Sequence, residues 1–335
     1  MKTSLEMIGS AIMLFILILE PSTALTGGIK GIEVCLNSLL PVLFPFCVLT
    51  TYLSCRINAI SRFLTPLGRL CKIPSGLEAL FPISFIAGYP IGISIISAEY
   101  KAGLLSRQEA QRLTGFCSNA GISFVFGILG CLFDSYWIPF WTMLVLILSG
   151  LMVGIILPGT SIQSKHRLSA VPIKFVDAVH AATGSMMNIC SWVMLFSIVN
   201  QYLQKWLTSM TPHFRCIIIG VLEVSNGVLC LNTIDSPALR WIIGCTLLSF
   251  GGICVTMQSL SISQDLELRW YICGKILQSS ISCVLAGFLQ SVFPLFPEKE
   301  PIVRCVPAVI PGILSLIFLY LLMKSKKRVE NLCAI

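Results

Sequence analysis

Four clusters of small and polar residues interrupt apolar runs, and they are where this chain could do chemistry. The first is Gly88, Tyr89, Pro90 and Gly92, within "FIAGYPIGIS". The second is Ser118, Asn119, Ala120 and Gly121. The third is Glu223, Ser225, Asn226 and Gly227, within "LEVSNG", and the fourth is Ser249, Phe250, Gly251 and Gly252. Glycine and proline disfavour a helix interior, so each cluster predicts a break. A half-helix that starts at a break exposes backbone N–H groups and the positive end of its dipole, which suit an anion. Glycine lets a ligand approach the backbone. Ser118, Asn119, Ser225, Asn226 and Ser249 add side-chain donors and acceptors. Close packing of membrane helices also uses Gly, Ala and Ser, and it is the competing reading of each cluster.

Glu223 is the sharpest single residue. It stands in "CIIIGVLEVSNGVLC", where an isolated carboxylate is costly. It reads as a hydrogen-bond acceptor for substrate or a proton-coupling group; a snorkelling or structurally paired glutamate is the alternative. Gln258 is a weaker binding candidate. Lys275 is weaker still, because it lies about two turns from a basic loop and its stem could reach the interface.

Composition says what must hold these clusters. The 335 residues are 56% hydrophobic and only 11% charged, against about 25% charged in soluble domains. The chain therefore reads as an all-α polytopic membrane protein. Its net charge of +8 lies mainly between apolar runs, where it sets topology. No basic stripe with interleaved aromatics supports a nucleic-acid partner. The 15 cysteines form no CxxC pair, and most lie in apolar runs as small hydrophobes. His166, His180 and His213 are scattered. No metal or cofactor is expected, and no nucleophile–base set or phosphate loop points to an enzyme.

Apolar stretches run over 7–25, 32–54, 77–100, 113–133, 137–158, 178–203, 215–232, 241–261, 270–293 and 303–323. Residues 32–54 would make a helix of about 34 Å, enough for a hydrocarbon core of ~30 Å. The N-terminus reads as an uncleaved first helix, with a signal peptide as the alternative; either way residue 28 lies outside the cytoplasm. Three basic segments are expected in the cytoplasm: 56–72, the linker 159–177, and the tail with Lys324, Lys326, Lys327 and Arg328. Between the first and second lie three apolar stretches, and between the second and third lie five. Both counts are odd, so one stretch in each half must enter and leave on the same side. Residues 77–100 and 215–238 are the expected re-entrant hairpins, since irregular backbone at membrane depth must be buried in protein or line a cavity.

The halves also resemble each other. "FCVLTTYL" (46–53) aligns with "FSIVNQYL" (196–203), "SNAGI" (118–122) with "SFGGI" (249–253), and Gly92–Ile93 with Gly227–Val228. With opposite starting directions, this predicts an inverted repeat, with two re-entrant helical hairpins and two discontinuous transmembrane helices. The expected organisation is an N-terminal helix over 1–29, a first repeat over 30–158, a linker over 159–177, a second repeat over 178–295, and a C-terminal helix with basic tail over 296–335. Residues 99–113 form an amphipathic connector, in which Ser106 and Glu109 predict a capping box.

"GYPIG", "YKAGLLSRQEAQRL", "FCSNAGISFVFGILG", "LLPVLFPF", "LEVSNG" and "SFGGICVTMQSLSIS" followed by Lys275 resemble the nucleoside-recognition (gate) proteins, and more closely the YlbJ-type sporulation integral membrane proteins. The similarity covers about residues 30–295. It implies a fold similar to the core of concentrative nucleoside transporters, with Glu223 where those carry an acidic residue for the ribose. It also implies movement of dipicolinic acid across the outer forespore membrane of a sporulating bacterium. A multi-pass location with a cytoplasmic C-terminus, a small-molecule solute, the lipid bilayer and a homo-oligomer are the corresponding partner expectations. Transport of nucleosides or another metabolite with cation coupling, and a non-transporting scaffold for spore formation, are the alternatives.

Overall fold

The computed structural model describes residues 2–54, 62–135, 137–159, 174–267 and 269–296. Their regular structure is all helical. Five helices are long and apolar enough to cross a membrane: Pro21–Tyr52, Trp137–Ile156, Phe175–Ser209, Pro237–Ile262 and Arg269–Val292. The expected C-terminal helix, the basic tail and most of the linker lie outside the described residues.

The chain opens with α1 (Lys2–Leu19) and α2 (Pro21–Val34), which a π-helical turn at Cys35–Leu39 joins to α3 (Leu40–Ser54). The boundary expected at residue 29 falls inside α2. Pro21 starts that helix, because its fixed φ and missing N–H suit a first turn, and Glu20 before it is non-helical. A short α4 (Thr65–Leu70) leads to α5 (Leu80–Ala87) and α6 (Ile91–Lys101). The connector supplies α7 (Arg107–Thr114), where Ser106 and Glu109 form the expected capping box. Irregular backbone then leads to α8 (Ile122–Phe133), which contains a second π-helical turn, and to α9 (Trp137–Ile156).

The second half begins with α10 (Phe175–Trp206), followed by α11 (Pro212–Leu222) and α12 (Val224–Cys230). Next come α13 (Pro237–Phe250), α14 (Gly252–Ile262) and α15 (Arg269–Val292).

Small residues set the closest packing. Thr23, Gly27 and Gly31 recur every four positions on α2 and are buried against α10. A Cβ at Gly27 would lie 2.7 Å from the Ile198 Cα, and one at Gly31 2.8 Å from that of Met194. Both are too close for any side chain, which is the small-xxx-small device of membrane helix pairs. Helices α9, α13 and α15 form the other packed group, where Trp241 Nε1 donates to Thr142 at 2.8 Å.

One end of the molecule is tied by Arg112. Its guanidinium donates to the carbonyls of Cys71 (2.6 Å), Lys72 (3.1 Å), Gly154 (2.7 Å) and Leu157 (3.3 Å). At the same end, Lys101 pairs with Asp265 and Arg107 with Glu267. At the other end of α9 and α15, Trp141 stacks on Phe293, and Trp137 is exposed. Aromatic side chains of this kind suit a membrane–water interface.

Candidate functional site

Two pairs of short helices fold back on themselves. Gly220 and Gly227 are seven residues apart, yet a Cβ at Gly227 would fall on the Gly220 backbone. In a continuous helix they would stand about 10 Å apart. The chain therefore reverses at Glu223. In the first half, a Cβ at Gly92 would touch Ser84 across the turn and fall on the Cys117 carbonyl. Gly88 makes that turn with a φ of +79°, and the Tyr89–Pro90 peptide is cis.

The two turns meet the two helix breaks. Gly88 and Gly121 pack backbone on backbone, with added Cβ atoms approaching within 3.0–3.1 Å. Gly252 packs likewise on the second turn, where an added Cβ would lie 3.1 Å from the Gly220 carbonyl oxygen and 3.3 Å from Val224 N. A Cβ at Gly251 would lie 3.6 Å from the Tyr89 ring. The four clusters read from sequence thus come together. Much of their glycine is spent on mutual packing, and that includes Gly92, which faces the Cys117 carbonyl.

The charged groups in this region are buried and engaged. Glu223 is 1% exposed. Its carboxylate accepts from Ser225 N at 2.9 Å and Asn226 N at 2.7 Å, as the N-cap of α12. The Asn226 amide donates to Ser197 Oγ at 2.8 Å. Lys275 is also 1% exposed. It lies between the two breaks and not at the interface that its stem could have reached. Its ammonium donates to the Ser118 carbonyl, to the Ser249 carbonyl at 3.4 Å and to Gln278 Oε1 at 3.0 Å. The reason is local: these carbonyls are left without helical partners where the preceding segments stop.

Asn119 is fully committed. Its Nδ2 donates to Ser84 Oγ and the Phe116 carbonyl, and its Oδ1 accepts from Gln278. Ser249 bonds to Ser282, which in turn donates to Ser149. Gln258 is buried and its amide reaches only the Cys254 sulfur, at 3.4 Å.

Other polar atoms are buried without a well-formed hydrogen bond in the protein. They include the Tyr89 hydroxyl, Ser118 Oγ, Ser259 Oγ and the Tyr271 hydroxyl. The Tyr271 hydroxyl faces Ser259, Thr256 and Ser118, and that of Tyr89 is within electrostatic reach of Tyr271 and Glu223. Orphaned buried polar atoms are rare and need an explanation, a bound ligand or water among them. Around them, the N-termini of α6, α8 and α14 carry no side-chain cap. Beside the α8 start, a groove of about 390 Å³ runs between α3 and α8, lined by Pro41, Pro45, Phe46, Ser123 and Phe126.

Tyr271, Ser259 and Gln278 were not among the residues singled out from sequence. The available signal was the stripe Tyr271, Lys275, Gln278 and Ser282, spaced four, three and four along α15. All four are buried. Polar residues at helical spacing in an apolar helix mark a face turned to other polar groups. No family model, curated protein or solved structure matches the chain.

Proposed function

We propose that this chain is a membrane transporter for a small polar or anionic solute. The observation that carries the reading is the buried, unpartnered Tyr89 hydroxyl with the buried hydroxyls of Ser118, Ser259 and Tyr271, which face one another, beside three uncapped half-helix N-termini. The hydroxyls would donate to the solute, and the N-termini would favour negative charge on it. The two fold-back pairs fit re-entrant hairpins in an inverted repeat. Counting each pair as a return makes the crossings between the basic segments even.

The particular solute we propose is dipicolinic acid, carried across the outer forespore membrane. The reading rests on the resemblance to the YlbJ-type proteins, and a planar dianion suits N-termini converging on one region. Glu223 already caps α12, so the solute's carboxylates meet uncapped helix starts instead. Deletion of the gene in a sporulating host should lower spore dipicolinate several-fold, and unchanged spore content would sink the proposal. Purified protein should melt at a higher temperature with dipicolinate; a shift with uridine in its place would assign the site to nucleosides.

A further inference from the structure

An ammonium group has three donors and no acceptor. Around Lys275 all three have protein oxygens: the Ser118 carbonyl, the Ser249 carbonyl and Gln278 Oε1. Lys275 therefore has no donor left for a solute carboxylate. The three oxygens are neutral and come from both breaks and from α15. Two are main-chain carbonyls, that of Ser118 in the irregular first break and that of Ser249 in the last turn of α13. Neutral oxygens of this kind suit a monovalent cation, whereas a divalent ion favours carboxylates. Among the described residues, no cluster of His, Cys, Asp and Glu could hold a metal ion.

We propose that Lys275 is a tethered cation filling a site that would otherwise take a monovalent inorganic ion. It joins the two breaks as a bound ion would, and the native chain needs no Na⁺ or K⁺ there. The inference deepens the transporter reading, because it makes solute binding independent of such an ion at the breaks. Melts without solute test it separately from the identity of the solute. Full-length purified protein is heated in Na⁺, K⁺ or choline chloride at equal ionic strength.

Native protein should melt at the same temperature in all three. Lys275→Ala should melt lower in choline and recover part of the loss, saturably, in Na⁺ or K⁺. Lys275→Met, whose longer side chain fills the space, should show the loss without the recovery. Equal melting of Lys275→Ala in all three salts would overturn the proposal. So would a saturable Na⁺ shift in the native protein, a measurement that stands if neither variant folds.

A separate observation concerns the open end of the second fold-back pair. Cys216 Sγ and Cys230 Sγ lie 2.6 Å apart, about half an ångström beyond a disulfide bond. They flank the Gly220–Gly227 contact in antiparallel register, so a bond would join the arms of α11 and α12. Cys230 is partly exposed and Cys216 is buried. The charge-based orientation puts this end outside the cytoplasm, where disulfides persist.

We infer that these two thiols form a disulfide by exchange with a small disulfide oxidant. The Cys230 thiolate attacks the oxidant, forming a mixed disulfide and releasing one thiolate. The Cys216 thiolate then displaces the second. The cysteines lose two protons and two electrons, and the oxidant becomes two thiols. After treatment of the full chain with oxidised glutathione and alkylation, peptide mass spectrometry should find Cys216 linked to Cys230. The link should vanish with dithiothreitol and in Cys216→Ser. Complete alkylation of both cysteines in oxidised native protein would overturn the inference.

Discussion

The two fold-back pairs share a shape and differ in chemistry. The α5–α6 turn is made by Gly88 at positive φ, and it presents the unpartnered Tyr89 hydroxyl and an uncapped α6. The α11–α12 turn is made by Glu223, whose own carboxylate closes the start of α12. One turn leaves its polar groups open to a visitor, while the other brings its own anion. The breaks differ in the same way. The first is an irregular segment ending at Gly121, and the second is one pair of left-handed glycines, Gly251 and Gly252. Two turns both satisfied internally would offer a solute nothing, so the asymmetry is where the proposed solute site lies.

The comparison can be broken most severely at the glycines. Gly227→Ala drives a methyl into the Gly220 backbone, and Gly92→Ala drives one into the Cys117 carbonyl. Each should cost about 3 kcal/mol or more, seen as loss of monodisperse protein on size exclusion. A Gly227→Ala protein that melts normally would mean that the second pair does not fold back at Glu223.

A smaller effect separates the two turns. Glu223→Ala removes the α12 cap and should cost about 1–2 kcal/mol, read as a lower melting temperature. Glu223→Gln keeps an acceptor and should lose less than half of that.

The smallest change in stability belongs to the first turn. Tyr89→Phe removes a hydroxyl without a protein partner, so stability should hold or rise slightly. Solute affinity should fall by roughly tenfold, the worth of one hydrogen bond. A Tyr89→Phe protein that binds solute normally would remove that hydroxyl from the site.

The breaks were legible because Gly88, Pro90, Gly121 and Gly251 punctuate runs that otherwise read as continuous apolar helix. Glu223 drew attention for its cost in such a run, and its solution to that cost is local, two and three residues away. Lys275 ranks low in sequence because its partners Ser118 and Ser249 are far along the chain, and distance to the nearest basic loop says nothing about them. Gly92, like the other cluster glycines, reads in sequence as room for a ligand to approach the backbone. Its true neighbour, the Cys117 carbonyl, becomes adjacent only when α6 packs on the break. Sequence marks where a helix must stop; which atoms the stop exposes depends on what packs there.

Arg112 has a mechanical consequence. A guanidinium gripping four carbonyls from the end of α4 and the end of α9 cannot release one without leaving a buried charge short of partners. These elements therefore travel as one body. Any rocking that the proposed transport requires must pivot elsewhere, and not between α2 and α10, which are held together by the Lys205–Glu20 ion pair and the Lys30–Gln201 hydrogen bond as well as by the glycine contacts.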